Sequence, residues 1–267
     1  MRKTDQQVAR RSPTSANSRA TLLHRRDVGA LTWRGPAAML LARTVLAVAA
    51  QAVVAAVFAV RGSSTPWHDA EPWLPVYGTL IDIGCLALLW RLTRREGMRL
   101  LDLVGFRPKR LRGDVLLGMA LIPVSLVFIF SGTYVAGLLV YGAPAPPYFL
   151  GGLPLPAALY GLLVWPFIWG VTEQMTYNGY LLSRLQVLCR RTSVAIVVVA
   201  FSWSLQHAFM PLTFDAKFMT YRLLASLPLA VFETLLYLRL RRLVPLAVAH
   251  ALMDGATVLI PLLALAT

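Results

Sequence analysis

Seven long apolar runs limit what this chain can fold into more than any other feature of its sequence. They lie at about residues 37–60, 72–90, 114–141, 155–183, 192–212, 223–238 and 243–265. A helix of about 20 apolar residues crosses a hydrocarbon layer of ~30 Å, and we expect each run to cross. The chain is 57% hydrophobic and 14% charged, whereas soluble domains are roughly 25% charged. The sequence therefore predicts an all-α polytopic membrane helix bundle with seven or eight transmembrane helices.

Basic residues alternate between the segments that join these runs. From the amino terminus the segments hold 8, 1, 8, 0, 3, 2, 3 and 0 Lys or Arg residues, and Arg43 within the first run completes the total of 26. Cytoplasmic loops of membrane proteins are enriched in Lys and Arg. The pattern predicts a multi-pass protein of a plasma (inner) membrane with a cytoplasmic amino terminus. The net charge of +14 then reflects membrane orientation, and we expect no nucleic-acid partner.

The chain divides into an amino-terminal arm and one membrane domain. Residues 1–36 contain eight Lys or Arg and no apolar periodicity, which predicts a disordered cytoplasmic arm attracted to anionic lipid. The same Arg-rich composition is also typical of an organellar transit peptide. Residues 37–267 form the membrane domain, in which the mixed basic and apolar segment 91–113 predicts a short interfacial helix. The proline-rich segment 142–154 predicts an irregular extracytoplasmic connection.

Ionisable side chains within apolar runs are the main functional signal. Glu173, His207 and His250 lie inside such runs, and Asp254 follows His250 by one helical turn. A buried charge at the bilayer centre costs at least a few kcal/mol, so intramembrane ionisable residues are rare and usually functional. The spacing of four lets Asp254 accept a hydrogen bond from the imidazole and fix its tautomer. The structural alternative is a self-neutralising pair and a histidine satisfied within the core.

Other polar and aromatic residues accompany these groups at helical spacing. Tyr177 shares a helix face with Glu173, and Gln174 and Asn178 stack beside them. Trp203 lies one turn before the histidine of the fifth run, so we expect it to pack against that imidazole. Alternatively, the amides bond neighbouring helices and hold the bundle together.

Residue counts place the three intramembrane groups at different depths. At about 1.5 Å per residue from the cytoplasmic ends, Glu173 lies about 15 Å deep, His207 about 22 Å and His250 about 10 Å. A shared site requires one depth. Tilted or irregular helices must therefore absorb about 12 Å if these side chains are to meet.

The set as a whole has the composition that water activation requires. One glutamate, two histidines and a further carboxylate supply a base and groups that polarise a carbonyl or hold a cation. Arg43 and Asp82 are expected to pair across the first two helices. Glu233 in the sixth run is a further candidate for the same cavity.

Three short motifs occur in order on separate runs, at Glu173-Gln174-x-x-x-Asn178, Trp203-x-x-x-His207 and His250-x-x-x-Asp254. They resemble the Glu-Glu-x-x-x-Arg, Phe-x-x-x-His and His-x-x-x-Asn/Asp motifs of the CPBP intramembrane metalloproteases. This family includes CAAX-prenyl endopeptidases and bacteriocin-processing or immunity (Abi-like) proteins. The resemblance covers a core at about residues 155–265. Gln174, Asn178 and Trp203 depart from the family's Glu, Arg and Phe.

The resemblance implies peptide hydrolysis within the bilayer, on a peptide or membrane-protein substrate. Glu173 would act as general base toward water, His207 would position that water or hold a metal, and His250 with Asp254 would stabilise the oxyanion or complete the site. Glu173, His207 and His250 would also be the ligands of one divalent metal such as zinc, if a metal is used. A metal-free scheme uses the same residues, and both schemes stay open.

Two other classes of function fit the same sequence. A non-catalytic membrane scaffold or immunity-type protein on the same fold is favoured by the two amides at positions 174 and 178. A proton-coupled transporter would also use intramembrane Glu and His, although no inverted repeat is visible in the sequence.

Overall fold

The computed structural model describes residues 15–145 and 152–266, and within these ranges the chain is helical with no strands. The α-helices are α1 (Arg19–Asp27), α2 (Arg34–Val60), α3 (Pro66–Ala70), α4 (Leu74–Arg95), α5 (Leu111–Tyr141), α6 (Leu155–Leu163), α7 (Trp165–Gln174), α8 (Ser183–Leu188), α9 (Thr192–Ala208), α10 (Ala216–Leu240) and α11 (Val244–Ala266). A π-helix (Met175–Leu182) joins α7 to α8 without a break. The all-α membrane bundle predicted from the sequence is confirmed.

Fewer helices are long and apolar enough to cross a membrane than the sequence predicted. Within the described ranges, five helices are long and apolar enough to cross a membrane, at Arg34–Val60, Pro66–Arg95, Pro108–Tyr141, Ala216–Leu240 and Val244–Ala264. A sixth exists if α6 and the helix from Trp165 to Leu188 count as one span with a 42° bend. The remaining apolar helix, α9, has 17 residues. Each of the seven predicted runs is mainly helical, but a count of seven or eight spans is not confirmed.

The amino-terminal arm is partly ordered, contrary to the prediction of a disordered segment. Residues 1–14 lie outside the described ranges, but α1 begins with Ser18 as its N-cap, whose hydroxyl accepts a hydrogen bond from the Thr21 N–H. Leu22 is fully buried in a small cluster with Val187, and Arg26 Nη1 donates to the Val187 carbonyl at 3.2 Å. The prediction was wrong here because the burial that orders α1 is supplied by α8, far away in sequence.

The connecting segments 91–113 and 142–154 are less regular than the helices that they join. Segment 91–113 contains the end of α4, two short 3₁₀ turns (Leu100–Leu103 and Pro108–Arg110) and the start of α5, instead of an interfacial α-helix. In segment 142–154, Gly142 ends α5 in the left-handed conformation, as glycine commonly does at helix ends. Residues 146–151 of that loop lie outside the described ranges.

Close approach of α7 to α11 positions the polar residues of the core. A Cβ atom at Gly170 would lie 3.1 Å from the Ala247 carbonyl oxygen and 3.1 Å from the Ala251 nitrogen, so only glycine allows this separation without a shift. Small residues bring membrane helices together in this way. Gly170 precedes Glu173 by three residues, and Ala251 follows His250. The contact therefore carries these two functional candidates toward each other.

Candidate active site

Glu173 and His250 meet at the interface of α7 and α11. The Nε2 atom of His250 lies 2.8 Å from Oε2 of Glu173 and 3.4 Å from Oδ2 of Asp254. The Glu173 side chain has no exposed surface, and that of His250 is 8% exposed. Three of the four predicted catalytic residues thus form one contact group, and Asp254 lies beside the imidazole as its spacing predicted.

The opposite edge of the imidazole faces an amide and a third carboxylate. Gln174 Nε2 lies 3.3 Å from His250 Nδ1 and donates a hydrogen bond to Glu233 Oε2. Asn178 Nδ2 donates to Gln174 Oε1 at 2.8 Å. Glu233 Oε2 itself lies 3.7 Å from Nδ1. The supporting amides predicted from the sequence therefore contact the site, and Glu233 joins it through Gln174.

A second polar chain holds the other oxygen of Glu173. Gln206 Nε2 donates to Glu173 Oε1, and Gln206 Oε1 accepts from Arg43 Nε at 2.9 Å. Arg43 also pairs with Asp82 at 2.8 Å, and neither side chain has exposed surface. The expected Arg43–Asp82 pair is confirmed. Gln206 was not predicted from the sequence, although its amide beside His207 in an apolar run was a detectable signal.

Aromatic rings form one wall of the group. Trp203 stacks on Tyr177 with centroids 5.1 Å apart and an interplanar angle of 9°. It also stacks on His250 at 6.0 Å and 7°. The sequence predicted that Trp203 would pack against His207, one turn away on its own helix. The stacked imidazole is instead that of His250, because α9 turns the indole toward α11.

A cavity of about 250 Å³ adjoins the group. It is lined by His207, His250, Asp254 and Arg222, by three tryptophans, and by mainly aliphatic side chains of α5, α10 and α11. His207, on α9, thus lines the same cavity as His250 and Asp254 on α11. Glu173 is not among the lining residues and lies behind His250. The cavity volume is close to the lower end of the range for small-molecule sites, roughly 300–1,000 Å³.

Several buried oxygens around the imidazole have acceptor capacity. Within the described ranges, Asp254 Oδ2, Glu233 Oε1 and Asn178 Oδ1 are buried and make no hydrogen bond, and Glu173 Oε2 contacts His250 Nε2 at 2.8 Å. Buried acceptors are normally paired. Two of these atoms, Glu173 Oε2 and Asp254 Oδ2, converge on His250 Nε2. That position is suited to receiving a proton or a hydrogen bond from water.

The predicted metal ligands do not form a metal site in this arrangement. Across the described part of the chain, no group of three or more His, Cys, Asp or Glu side chains is placed to hold a metal ion. Of the predicted set, Glu173 touches His250 directly, and His207 lines the cavity from another helix. Residues in these positions do not fit a three-ligand site.

One family model matches the region of the chain that contains the candidate site. The family model described as type II CAAX prenyl endopeptidase, Rce1-like, matches residues 154–256. These residues include all four predicted catalytic positions. The match supports membership of the CPBP, or CAAX protease, family. No curated protein and no solved structure matches the chain at a significant level.

The CAAX protease region does not contain the whole polar network. Arg43 on α2 and Asp82 on α4 precede the matched residues, yet they are joined through Gln206 to Glu173. The family is one of proteases, which supports a peptidase role for this multi-pass membrane protein in general terms.

Proposed function

We propose that this protein is an intramembrane endopeptidase, which hydrolyses a peptide bond of a peptide or membrane-protein substrate within the bilayer. The observation that carries the proposal is the contact of Glu173 with His250 and Asp254 beside a cavity that His207 also lines. Three groups from two helices are in contact, and His207 from a third helix lines the adjoining cavity. A set of isolated polar bridges between helices would not require that convergence.

In the proposed mechanism, Glu173 is the general base. Glu173 Oε2 lies behind the His250 imidazole, whereas Asp254 lines the cavity, so the ring must shift before a cavity water held by Asp254 can donate to Glu173. One proton passes to Glu173 while the water oxygen attacks the scissile carbonyl carbon, with His207 positioning the water from across the cavity. The C–N bond then breaks, and Glu173 returns the proton to the leaving amine.

His250 stabilises the oxyanion in this scheme. While Glu173 is ionised, its carboxylate attracts the Nε2 proton of the imidazole. Protonation of Glu173 removes that charge, so the Nε2–H becomes available to the developing oxyanion at the moment it forms. Donors placed where charge develops are worth about 10²–10³ in rate. Asp254 keeps the ring in place through its 3.4 Å contact.

The orientation proposed for the protein is a cytoplasmic amino terminus in a plasma membrane. The basic segments meet at one end of the bundle, as the positive-inside rule requires of cytoplasmic loops. There α1 contacts α8 through Arg26 and Val187, and Arg242 pairs with Asp114. The backbone N–H of Leu243 also donates to Val104 at 3.1 Å.

Cleavage by the purified full-length protein in lipid nanodiscs tests the proposal. The substrates are a farnesylated peptide with a carboxy-terminal CAAX sequence and a single-span peptide without a lipid, and products are identified by mass spectrometry. We expect Glu173→Gln to lower the rate at least about 10²-fold, whereas Glu71→Gln, the same chemical change outside the bundle core, leaves it unchanged. Equal rates for Glu173→Gln and the unsubstituted protein would exclude Glu173 as the base.

A metal requirement is tested in the same assay. The arrangement of Glu173, His207 and His250 does not supply three clustered ligands, so we expect cleavage to survive dialysis against a chelator. Loss of activity that zinc restores would instead favour the metal-bound form of the site.

A non-catalytic scaffold or immunity-type protein is the second candidate. It is favoured by Gln174 and Asn178, which bond each other where the CPBP motif has a charged pair. Full biological output from a normally expressed Glu173→Gln variant would support this candidate, because a scaffold does not need the base.

A further inference from the structure

Two buried amides contact the Glu173–His250 pair from opposite sides. Gln206 donates to Glu173, and Gln174 lies beside Nδ1 of His250. A side-chain amide can present either its oxygen or its NH₂ group to a neighbour. The orientation of each amide therefore determines whether it supports or opposes the pair.

Arg43 determines the orientation of Gln206. A guanidinium is a donor only, so the amide must turn its oxygen toward Arg43 Nε, which lies 2.9 Å away. The Tyr177 hydroxyl donates to the same oxygen at 3.1 Å. The NH₂ group is thereby directed to Glu173 Oε1. A reversed amide would set its oxygen against the carboxylate and repel it.

The position of Arg43 is itself fixed by two buried contacts. Asp82 accepts from Nη1 at 2.8 Å, and the guanidinium carbon lies 4.2 Å from the centroid of a Trp169 ring. Arg43 and Asp82 are both fully buried. A buried cation that is paired and stacked in this way has little freedom to move, so it can hold Gln206 in one orientation.

Glu233 determines the orientation of Gln174 as Arg43 determines that of Gln206, except that Glu233 is an acceptor and not a donor. An ionised carboxylate is an acceptor only, so Gln174 presents its NH₂ group to Glu233 and its oxygen to Asn178. The same NH₂ group lies 3.3 Å from His250 Nδ1. Nδ1 is therefore the acceptor nitrogen, and the proton of the neutral ring is on Nε2, facing Glu173.

We propose that Arg43 and Glu233 are positioning residues that act through the hydrogen bonds of these two amides, in addition to their longer direct contacts with Glu173 (3.8 Å) and His250 (3.7 Å). Arg43 directs an N–H of Gln206 to one oxygen of Glu173, and Glu233 selects the His250 tautomer whose Nε2–H faces the other oxygen. The consequence for catalysis rests on the proposed protease function; the geometric consequence does not. Charged groups on α2 and α10 thus complete a site whose base and imidazole are on α7 and α11.

The kinetic test removes a buried ion pair as a unit. Arg43→Met/Asp82→Leu takes away both charges together, and such replacements are often neutral or stabilising, whereas loss of one partner strands a charge. The matched control is Arg184→Met/Glu96→Leu, which removes another buried pair (Nη2 to Oε2, 2.5 Å) away from both amides. We expect kcat to fall about 10- to 100-fold in the first variant, with KM nearly constant, because the base is misplaced. Wild-type kcat in a folded Arg43→Met/Asp82→Leu protein would overturn the proposal.

A spectroscopic test keeps the proposal separate from the protease function. Solid-state NMR of the full chain in lipid, with ¹⁵N-labelled histidine, reports which imidazole nitrogen carries the proton. The His250 signals are assigned by their loss in His250→Asn. We expect one tautomer with a protonated Nε2, a mixture in Glu233→Gln, and a shifted Nε2 signal in Arg43→Met/Asp82→Leu.

Failure of the two ideas is then distinguishable. A protein that cleaves neither substrate but shows these NMR changes contradicts the protease function and supports the positioning roles. Unchanged His250 signals in both variants contradict the positioning roles, whatever the cleavage assay gives.

Discussion

The close approach of α7 to α11 gives the most direct test of how packing creates the site. A Cβ atom at Gly170 would lie 3.1 Å from the Ala247 carbonyl oxygen, 3.1 Å from the Ala251 nitrogen and 3.5 Å from the Ala251 Cα. All three are backbone atoms of α11, so they cannot turn away as a side chain would. Gly170→Ala must push the helices apart by a few tenths of an ångström.

The expected cost of Gly170→Ala follows from two opposing effects. Alanine in place of a helical glycine stabilises by about 0.5–1 kcal/mol, and overpacking a tight interface costs about 1–3 kcal/mol. We therefore expect a net destabilisation of about 0–2.5 kcal/mol. Activity should fall more steeply, because the shift lengthens the 2.8 Å contact of Glu173 with His250. A loss of about 10-fold in kcat is expected, since misplacement by about 1 Å can cost 10²-fold.

The assay compares cleavage rate and thermal unfolding in nanodiscs for Gly170→Ala and Gly113→Ala. Gly113 is also helical, and a Cβ added there meets no atom within 4 Å. Gly113→Ala should raise the unfolding temperature, because alanine favours the helix, and should leave the cleavage rate unchanged. If Gly170→Ala matches Gly113→Ala in both rate and unfolding temperature, helix separation at Gly170 does not control the site.

Three further predictions follow from other contacts. Trp203→Ala removes the ring between Tyr177 and His250 and should cost about 3–5 kcal/mol in unfolding free energy, whereas Trp203→Phe should keep most of the stability and activity; equal unfolding of the two would contradict the stacking argument. Leu22→Asp should detach α1 and expose the amino-terminal segment to a soluble protease without changing the cleavage rate, and unchanged protease resistance would show that Leu22 does not hold α1. Asp254→Asn should keep the ring contact but remove one acceptor for water, so kcat should fall while unfolding stays the same; an unchanged kcat would exclude Asp254 from water binding.

The depth of the site shows where arithmetic along the sequence fails. Residue counting separates Glu173 and His250 by about 5 Å in depth, yet their side chains lie 2.8 Å apart. The count assumes straight helices that start at a common plane. The fourth run instead bends by 42° near Val164 and continues beyond Gln174 as a π-helix, whose hydrogen-bond pattern differs from that of an α-helix.

The sequence also could not show which side chains from different helices contact each other. Helical spacing correctly placed Asp254 beside His250 and Asn178 beside Gln174, because residues four apart share a helix face. It assigned Trp203 to the nearest imidazole on its own helix, although the ring it stacks on belongs to α11. It also missed Gln206, since the importance of that amide depends on Arg43 arriving from α2.

Sequence reasoning was sufficient to predict a membrane-embedded helical bundle and to find the ionisable groups within its apolar runs. Hydrophobic length and composition are local properties, and lipid leaves the backbone no alternative to a helix within these runs. The packing of the helices was needed to show which of those groups meet, which oxygen or nitrogen each presents, and which of them face the cavity. The reason is that a buried polar group must find a partner, but the partner is selected by how closely two helices approach. At Gly170 that distance is set by direct packing of the α7 backbone on the α11 backbone.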